Sequence, residues 1–414
     1  MRTRPIQRIN GVDANARNNL HIPAKPGGTV STSDRANTRN NMDSVKTSSR
    51  SECLDAAKGI CIILVVIYHT SMYFLAKCPQ FADTTSFKVM QVFITGLGTM
   101  RMPLFFLISG FLANSAVFKR SWREIFQPRV ATFLWLYMLW VVMDWCFRAY
   151  LISHFNPELV HGSEAFPFTL DAFALDVVMG NTAIWYLYAL VMFFTVCKLG
   201  NQHLLLTFTF MALLSLLAKQ LVPQESWSLR SIASNAVFFT IGCYGKPYIE
   251  QIIERFNPLR FSIAVVGFLA LGELALRNDA IDIPGVKFLI SCCLVVAALD
   301  FIGLLTKHFT LNLLQTLGRY TLPIYVMHHF FIDVAAQLIL PLNISSNYAD
   351  AGVVTALVLL VVVNLAVCTG IYMLLNRHHG RMLFTFPKRE LFRMQAPSKL
   401  AAKPAELPEK TQAK

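Results

Sequence analysis

The sequence predicts an all-α, polytopic membrane helix bundle of about ten transmembrane helices with both termini in the cytoplasm, and three observations predict it. First, 55% of the 414 residues are hydrophobic and 15% charged, giving a mean hydropathy of +0.48. A soluble domain carries about a quarter charged residues. Second, the apolar residues form continuous runs of about twenty, the length that crosses a bilayer as helix, without the alternation of a barrel strand. Lipid offers no partner to an open backbone group, so helices are favoured. Third, the net charge of +13 is concentrated at the ends and in short loops. Positive-inside topology accounts for it better than nucleic-acid binding.

Ten spans follow in order: 54–76, 89–117, 130–152, 183–199, 203–222, 232–249, 260–277, 284–305, 320–341 and 352–375. With the amino terminus inside, and residues near span ends counted with the side they are nearer, 28 Lys and Arg fall on the cytoplasmic side against seven on the outer side. The short loop Lys119–Arg129 alone holds four of them. Residues 1–50 are polar and read as a disordered basic tail with no secretory signal. Met42 is an alternative start that would leave a short hydrophilic lead. Residues 381–414 form a second basic tail. The nine cysteines sit mostly within spans and show no C-x-x-C or Cys/His zinc spacing, which reads as buried free thiols and no metal site.

Ionisable residues inside spans are costly and mark candidate function. The first span holds Lys58 and His69, eleven residues or about 16 Å of helix apart and about 20° apart around its axis. Lys58 reads as a cytoplasmic-end cation, or as a side chain snorkelling to the interface. His69 lies deeper, where neutral imidazole can accept a hydroxyl proton or serve as a hydrogen-bonding residue of the bundle. The second span contains Gly96, Gly98, Pro103 and Gly110, which predict a break or re-entrant turn near 96–103. Arg101 within it is the costliest single residue and reads as lining a site. Ser109 reads as easing close helix packing through its Ser-Gly step.

Arg120 and Arg123 in the first cytoplasmic loop read as phosphate-binding or simply topogenic charge. Asp144 and Arg148 are spaced to pair across one helical turn. The longest outer loop, 153–182, could cap a site. Trp185, Tyr186 and Tyr188 suit sugar stacking or an interfacial aromatic belt. Glu273, Asp300 and His328 also fall within spans, and His328 reads equally as a polar interhelical hydrogen-bonding residue.

Five segments together resemble the acyltransferase-3 family of membrane O-acyltransferases. Lys58–His69 looks like its R/K-x10-H signature, and Arg101-Met102-Pro103-Leu104-Phe105-Phe106-Leu107-Ile108-Ser109-Gly110-Phe111 is similar to its P-x-F-F-x-x-S-G stretch. Arg120-Ser121-Trp122-Arg123 matches its cytoplasmic R-x-x-R, and the segments Ile184–Leu190 and Leu317–His329 fit as well. The resemblance covers about residues 51–380, in order, and its wording is nearest a poorly characterised branch of the bacterial inner (plasma) membrane.

The resemblance implies transfer of an acetyl group from cytoplasmic acetyl-CoA, a donor substrate with no bound cofactor, to a hydroxyl of an envelope or exported carbohydrate. His69 would be the catalytic base, and Lys58 replaces the commoner Arg, keeping charge but losing bidentate phosphate geometry. Arg101 would stabilise an oxyanion or orient the donor. Arg120 and Arg123 would meet the donor's phosphates, Trp185 and Tyr186 the acceptor, and His328 would act beside His69 or on the acceptor side. Succinyl transfer is the runner-up to acetyl, since nothing reads the size of the acyl group. The competing class is a glycan or glycolipid transporter or exporter, which ten helices with polar residues at mid-depth also fit. The absence of paired broken helices in two halves speaks against it.

Overall fold

The computed structural model describes residues 32–155, 167, 169–278, 280, 283–339 and 349–387, and every regular element among them is helical. The chain divides into two units, Met1–Ser48 and Ser49–Lys414, and the membrane bundle lies in the second. Helix α1 (Thr32–Tyr73) begins well before residue 50, where the polar tail was expected to end. Its early residues are polar, but neither Gly nor Pro interrupts the sequence between Gly28 and Gly59.

Among the described residues seven helices are long and apolar enough to cross a bilayer: Arg50–Lys77, Thr85–Lys119, Trp122–Phe155, Pro258–Arg277, Val286–His308, Thr321–Ile339 and Gly352–Leu375. They correspond to seven of the ten expected spans. The other three expected spans are also helices, α5 (Trp185–Leu199), α6 (Leu204–Leu216) and α7 (Trp227–Tyr244). The first two are shorter than a full crossing. Helix α7 carries Ser231, Ser234 and Asn235, and all three line an internal cavity. Its modest hydropathy therefore has a structural cause, since one face looks onto polar space.

Helix α2 (Thr85–Lys119) runs unbroken through Pro103, so the expected break near 96–103 does not occur. Pro103 withholds one N–H from the ladder, leaving open the carbonyl of Thr99, itself a cavity-lining residue. The same helix packs closely against α7. A side chain on Gly110 would strike the Phe239 carbonyl, and one on Gly242 would strike that of Leu107, so the two backbones touch where each helix has no Cβ. The last carbonyls of α2 lack helical partners. Lys198 from the end of α5 supplies them, donating to Val117 at 2.7 Å and to Arg120 at 2.6 Å.

Helices α3 (Thr132–Phe155), α4 (Leu170–Met179), α9 (Pro258–Arg277) and α10 (Val286–His308) complete the wall with α12 (Thr321–Ile339) and α13 (Ala349–Leu375). Two of the ionisable residues noted in the sequence pair structurally. Buried Asp300 accepts from Arg260 at 2.5 and 2.7 Å, and exposed Glu273 pairs with Arg277 at 2.6 Å. Of the outer segment 153–182, residues 156–166 and 168 lie outside the described residues. Its α4 portion is tied to α3 by Tyr137, whose hydroxyl donates to the Val177 carbonyl at 2.7 Å.

Candidate active site

Helical periodicity places Tyr325, His328 and His329 on one face of α12, and that face meets His69 of α1. His328 Nδ1 lies 2.8 Å from the Tyr325 carbonyl and 3.2 Å from that of Ile324. A carbonyl only accepts, so Nδ1 carries the proton. His328 Nε2, 2.9 Å from His69 Nδ1, is then an acceptor when the ring is neutral, and His69 Nδ1 donates to it. The chain of bonds leaves His69 Nε2 as the unprotonated nitrogen. His328 is fully buried, and Asn364 of α13 holds its backbone by donating to the His328 carbonyl at 3.0 Å.

His329 packs against His69 with ring centres 4.4 Å apart and planes tilted by 50°, and Tyr73 stacks on His69 at 5.8 Å. His329 Nδ1 lies 3.3 Å from Arg148 Nη2, and Arg148 Nε is 3.4 Å from Asp144 and 3.0 Å from Asp333. The pairing of Asp144 with Arg148 expected from spacing is present, and Asp333 extends it into a triad. The three histidines bring ligand nitrogens within 4.8 Å of one another, close enough to raise a metal site. The donor set argues against it. Both His328 nitrogens are engaged, and a guanidinium faces His329 Nδ1.

His69 opens onto a cavity of about 810 Å³ that it shares with Arg101, Tyr68, Trp185, Lys219, Lys287 and the polar face of α7. Arg101 lies over Tyr68, its guanidinium carbon 4.0 Å from the ring centre, which suits a cation in a poorly hydrated place. Its buried Nε has no hydrogen-bond partner, and among the described residues no carboxylate pairs with it. A guanidinium with donors to spare beside a base suits a developing oxyanion.

A second cavity, about 270 Å³, is lined by apolar and aromatic side chains, with Lys58, Arg129 and Arg319 also on its wall. Tyr325 lines both cavities. Its hydroxyl accepts from the Tyr186 N–H at 3.2 Å and donates to the Ala183 carbonyl at 3.1 Å, fastening the first turn of α5, which has no side-chain cap of its own. Tyr186 in turn shares a 2.6 Å hydrogen bond with Ser109 and sits 4.8 Å from the rings of Phe105 and Phe106. Tyr325 is thus common to the two spaces, and Tyr186 and Phe105 line the smaller one.

The structure therefore gathers His69, Arg101, Trp185 and, behind them, His328 at the larger cavity, and puts Lys58 and Tyr186 on the smaller one. Lys58 pairs with Asp55 at 2.8 Å. Arg120 and Arg123 are exposed and line neither cavity. Sequence reasoning missed His329, Tyr325, Arg129, Arg319 and Lys287. The first two were signalled by the helical spacing Tyr325, His328, His329 within an already noted segment.

Comparison with known proteins identifies the family. The family model described as an acyltransferase domain (Acyl_transf_3) matches residues 51–373. The chain is similar to the inner membrane protein YcfT of Escherichia coli, at 26% identity over 347 residues, covering 81% of this chain and 95% of that protein. A local match of 107 residues, 30% identical, covers 26% of the chain and 27% of the nodulation protein NolL of Mesorhizobium japonicum. No solved structure matches. The fold, the ordered motifs and a match across most of the chain place it in the acyltransferase-3 family, and it is a multi-pass membrane O-acyltransferase.

Proposed function

We propose that this protein transfers an acetyl or other short acyl group from cytoplasmic acyl-CoA to a hydroxyl of an envelope carbohydrate in a bacterial inner membrane. The observation that carries the reading is the chain from the Tyr325 carbonyl through His328 to His69, which sets the tautomer of His69 and leaves Nε2 free beside a polar cavity. The acceptor hydroxyl binds in that cavity, with Trp185 available for stacking on a sugar face. As its oxygen attacks the thioester carbonyl carbon, His69 Nε2 takes the hydroxyl proton. Arg101 faces the negative charge that develops on the carbonyl oxygen. When the carbon–sulfur bond breaks, the thiolate recovers the proton from His69 and leaves as the free thiol.

The donor fits the smaller cavity. Its narrow, apolar and aromatic walls suit an extended pantetheine arm, and Lys58, Arg129 and Arg319 suit phosphates. With both termini cytoplasmic, these three cations lie on the cytoplasmic side and the larger cavity on the outer side. The similarity to a protein named for the inner membrane supports that location. The test compares base-labile acyl groups on envelope polysaccharide from the wild type, a deletion strain and a His69→Ala strain with normal protein levels. Acyl content should disappear in both mutants; retention in His69→Ala overturns the assignment.

A further inference from the structure

The reaction as drawn uses His69 and His328 and leaves one polar assembly beside them without a task. Asp144 and Arg148 are one helical turn apart on α3, as are His329 and Asp333 on α12, and the four side chains meet between the two helices. Arg148 Nε lies 3.4 Å from Asp144 and 3.0 Å from Asp333, so carboxylates from two helices hold the guanidinium in place. Its Nη2 then lies 3.3 Å from His329 Nδ1. Charged groups are costly to keep inside a membrane bundle, and apolar side chains would serve as well if packing were the only need.

The Arg148 contact decides where His329 carries its proton. A guanidinium only donates, so His329 Nδ1 accepts, and the N–H of the neutral ring sits on Nε2. Turning the ring over would set a carbon against Arg148, and protonating both nitrogens would set two donors face to face. His69 has the opposite tautomer, because its Nδ1–H goes to His328 and its Nε2 is bare. Both histidines line the larger cavity, and among the described residues no hydrogen bond occupies His329 Nε2. With the ring centres 4.4 Å apart, one wall of the cavity offers an accepting nitrogen and an N–H donor on neighbouring rings.

We propose that His329 binds the acceptor beside His69, and that the two rings together recognise neighbouring oxygens of one sugar. The attacking hydroxyl gives its proton to His69 Nε2, and the oxygen on the adjacent carbon accepts from His329 Nε2–H. The acceptor class is then a carbohydrate with vicinal oxygens at the acylated position, and the second bond selects which hydroxyl faces the base. Arg148 is the positioning residue for that donor, and Asp144 and Asp333 position Arg148. This proposal rests on the acyltransferase reading above and narrows its acceptor.

The test supplies full-length protein in nanodiscs with radiolabelled acetyl-CoA and two ring-sized probe acceptors, trans-1,2-cyclohexanediol and trans-1,4-cyclohexanediol, beside a glycan extract of host envelopes. The wild type should favour the 1,2-diol by about threefold to tenfold in kcat/KM, the worth of one hydrogen bond. His329→Gln keeps an amide N–H near the Nε2 position and should retain the preference. His329→Asn reaches only the Nδ1 position and should bring the diols level, whereas a purely structural His329 predicts that neither variant changes their ratio. Equal use of the diols by the wild type, or use of neither by protein that acylates the extract, overturns the proposal. Nitrogen-15 solid-state NMR of histidine-labelled protein reads the tautomer without any activity. The ring signals missing from His329→Gln should show Nε2 protonated in the wild type, and an Nδ1–H tautomer there overturns the proposal. Arg148→Lys keeps a cation beside the carboxylates but ends short of the Nη2 position, so the Nδ1–H form should appear and the diol preference should fall. No change in either readout removes Arg148 from the role. Transfer to the extract by His69→Ala at the wild-type rate would instead strike the transferase reading, a result distinct from all of these.

Discussion

The two cavities that share Tyr325 differ in what their walls offer. The larger carries histidine, arginine, lysine, serine and asparagine side chains, and the smaller is mostly phenylalanine, leucine and tyrosine with cations at Lys58, Arg129 and Arg319. One wall is chemically equipped to activate a hydroxyl. The other is equipped to hold an apolar arm with charge at its end. The difference teaches that the Lys58–His69 motif is two half-sites on one helix. The residues share a face of α1, yet their depths place them in separate spaces.

Changes in the larger cavity should act on the chemical step, and the greatest effect belongs to the base. His69→Ala should lower kcat for acyl transfer by about 10³-fold, within the usual range for a positioned general base, with donor KM nearly unchanged. Steady-state transfer with varied acyl-CoA checks it. A matching rise in donor KM would merge the two half-sites into one.

His328 touches no substrate in this arrangement and acts as a positioning residue through His69. His328→Leu should cost about 10²-fold in kcat because His69 Nδ1–H loses its acceptor and the ring can adopt the other tautomer. His328→Gln retains an oxygen that can accept the same bond and should restore much of the loss. A purely structural role for His328 predicts no such rescue in kcat at equal protein stability.

How much of this was legible beforehand follows depth and distance along the chain. Contiguous apolar runs reveal themselves to hydropathy, so each of the ten spans has its helix. Ser231, Ser234 and Asn235 lowered the signal of α7 because they serve the cavity. Arg101 and His69 were readable as costly residues, since each is polar in an apolar run. The His69–His328 bond joins residues 259 apart, and no local pattern encodes such a meeting. Pro103 misled because a proline's effect on a helix depends on what surrounds the freed carbonyl. Arg129 and Arg319 looked like topogenic charge, as lysines and arginines at span ends do, until packing set them on the same wall.

Changes on the smaller cavity should act on donor affinity. Lys58→Gln and Arg129→Gln should each raise donor KM about threefold to tenfold, as expected for losing one charge-assisted phosphate contact, with kcat unchanged. The KM of the wild type should also rise with ionic strength more steeply than that of either variant. A fall in kcat instead would move these cations from holding the donor to the reaction itself.

The smallest effect separates the motif from the geometry. Arg120 and Arg123 match the family pattern, yet both are exposed and line neither cavity. The role of Arg120 that the structure displays belongs to its carbonyl, which accepts from Lys198 and survives any change of side chain. Exposed charges at such a boundary attract an anionic donor through screened solvent, an effect worth well under about 1 kcal/mol each. The double variant Arg120→Gln with Arg123→Gln should therefore raise donor KM less than about threefold, and 0.5 M salt should erase the difference. A tenfold rise that persists in salt would mean that the donor's phosphates extend beyond the cavity rim onto the loop. The cytoplasmic half-site would then include Arg120 and Arg123 alongside Lys58, Arg129 and Arg319.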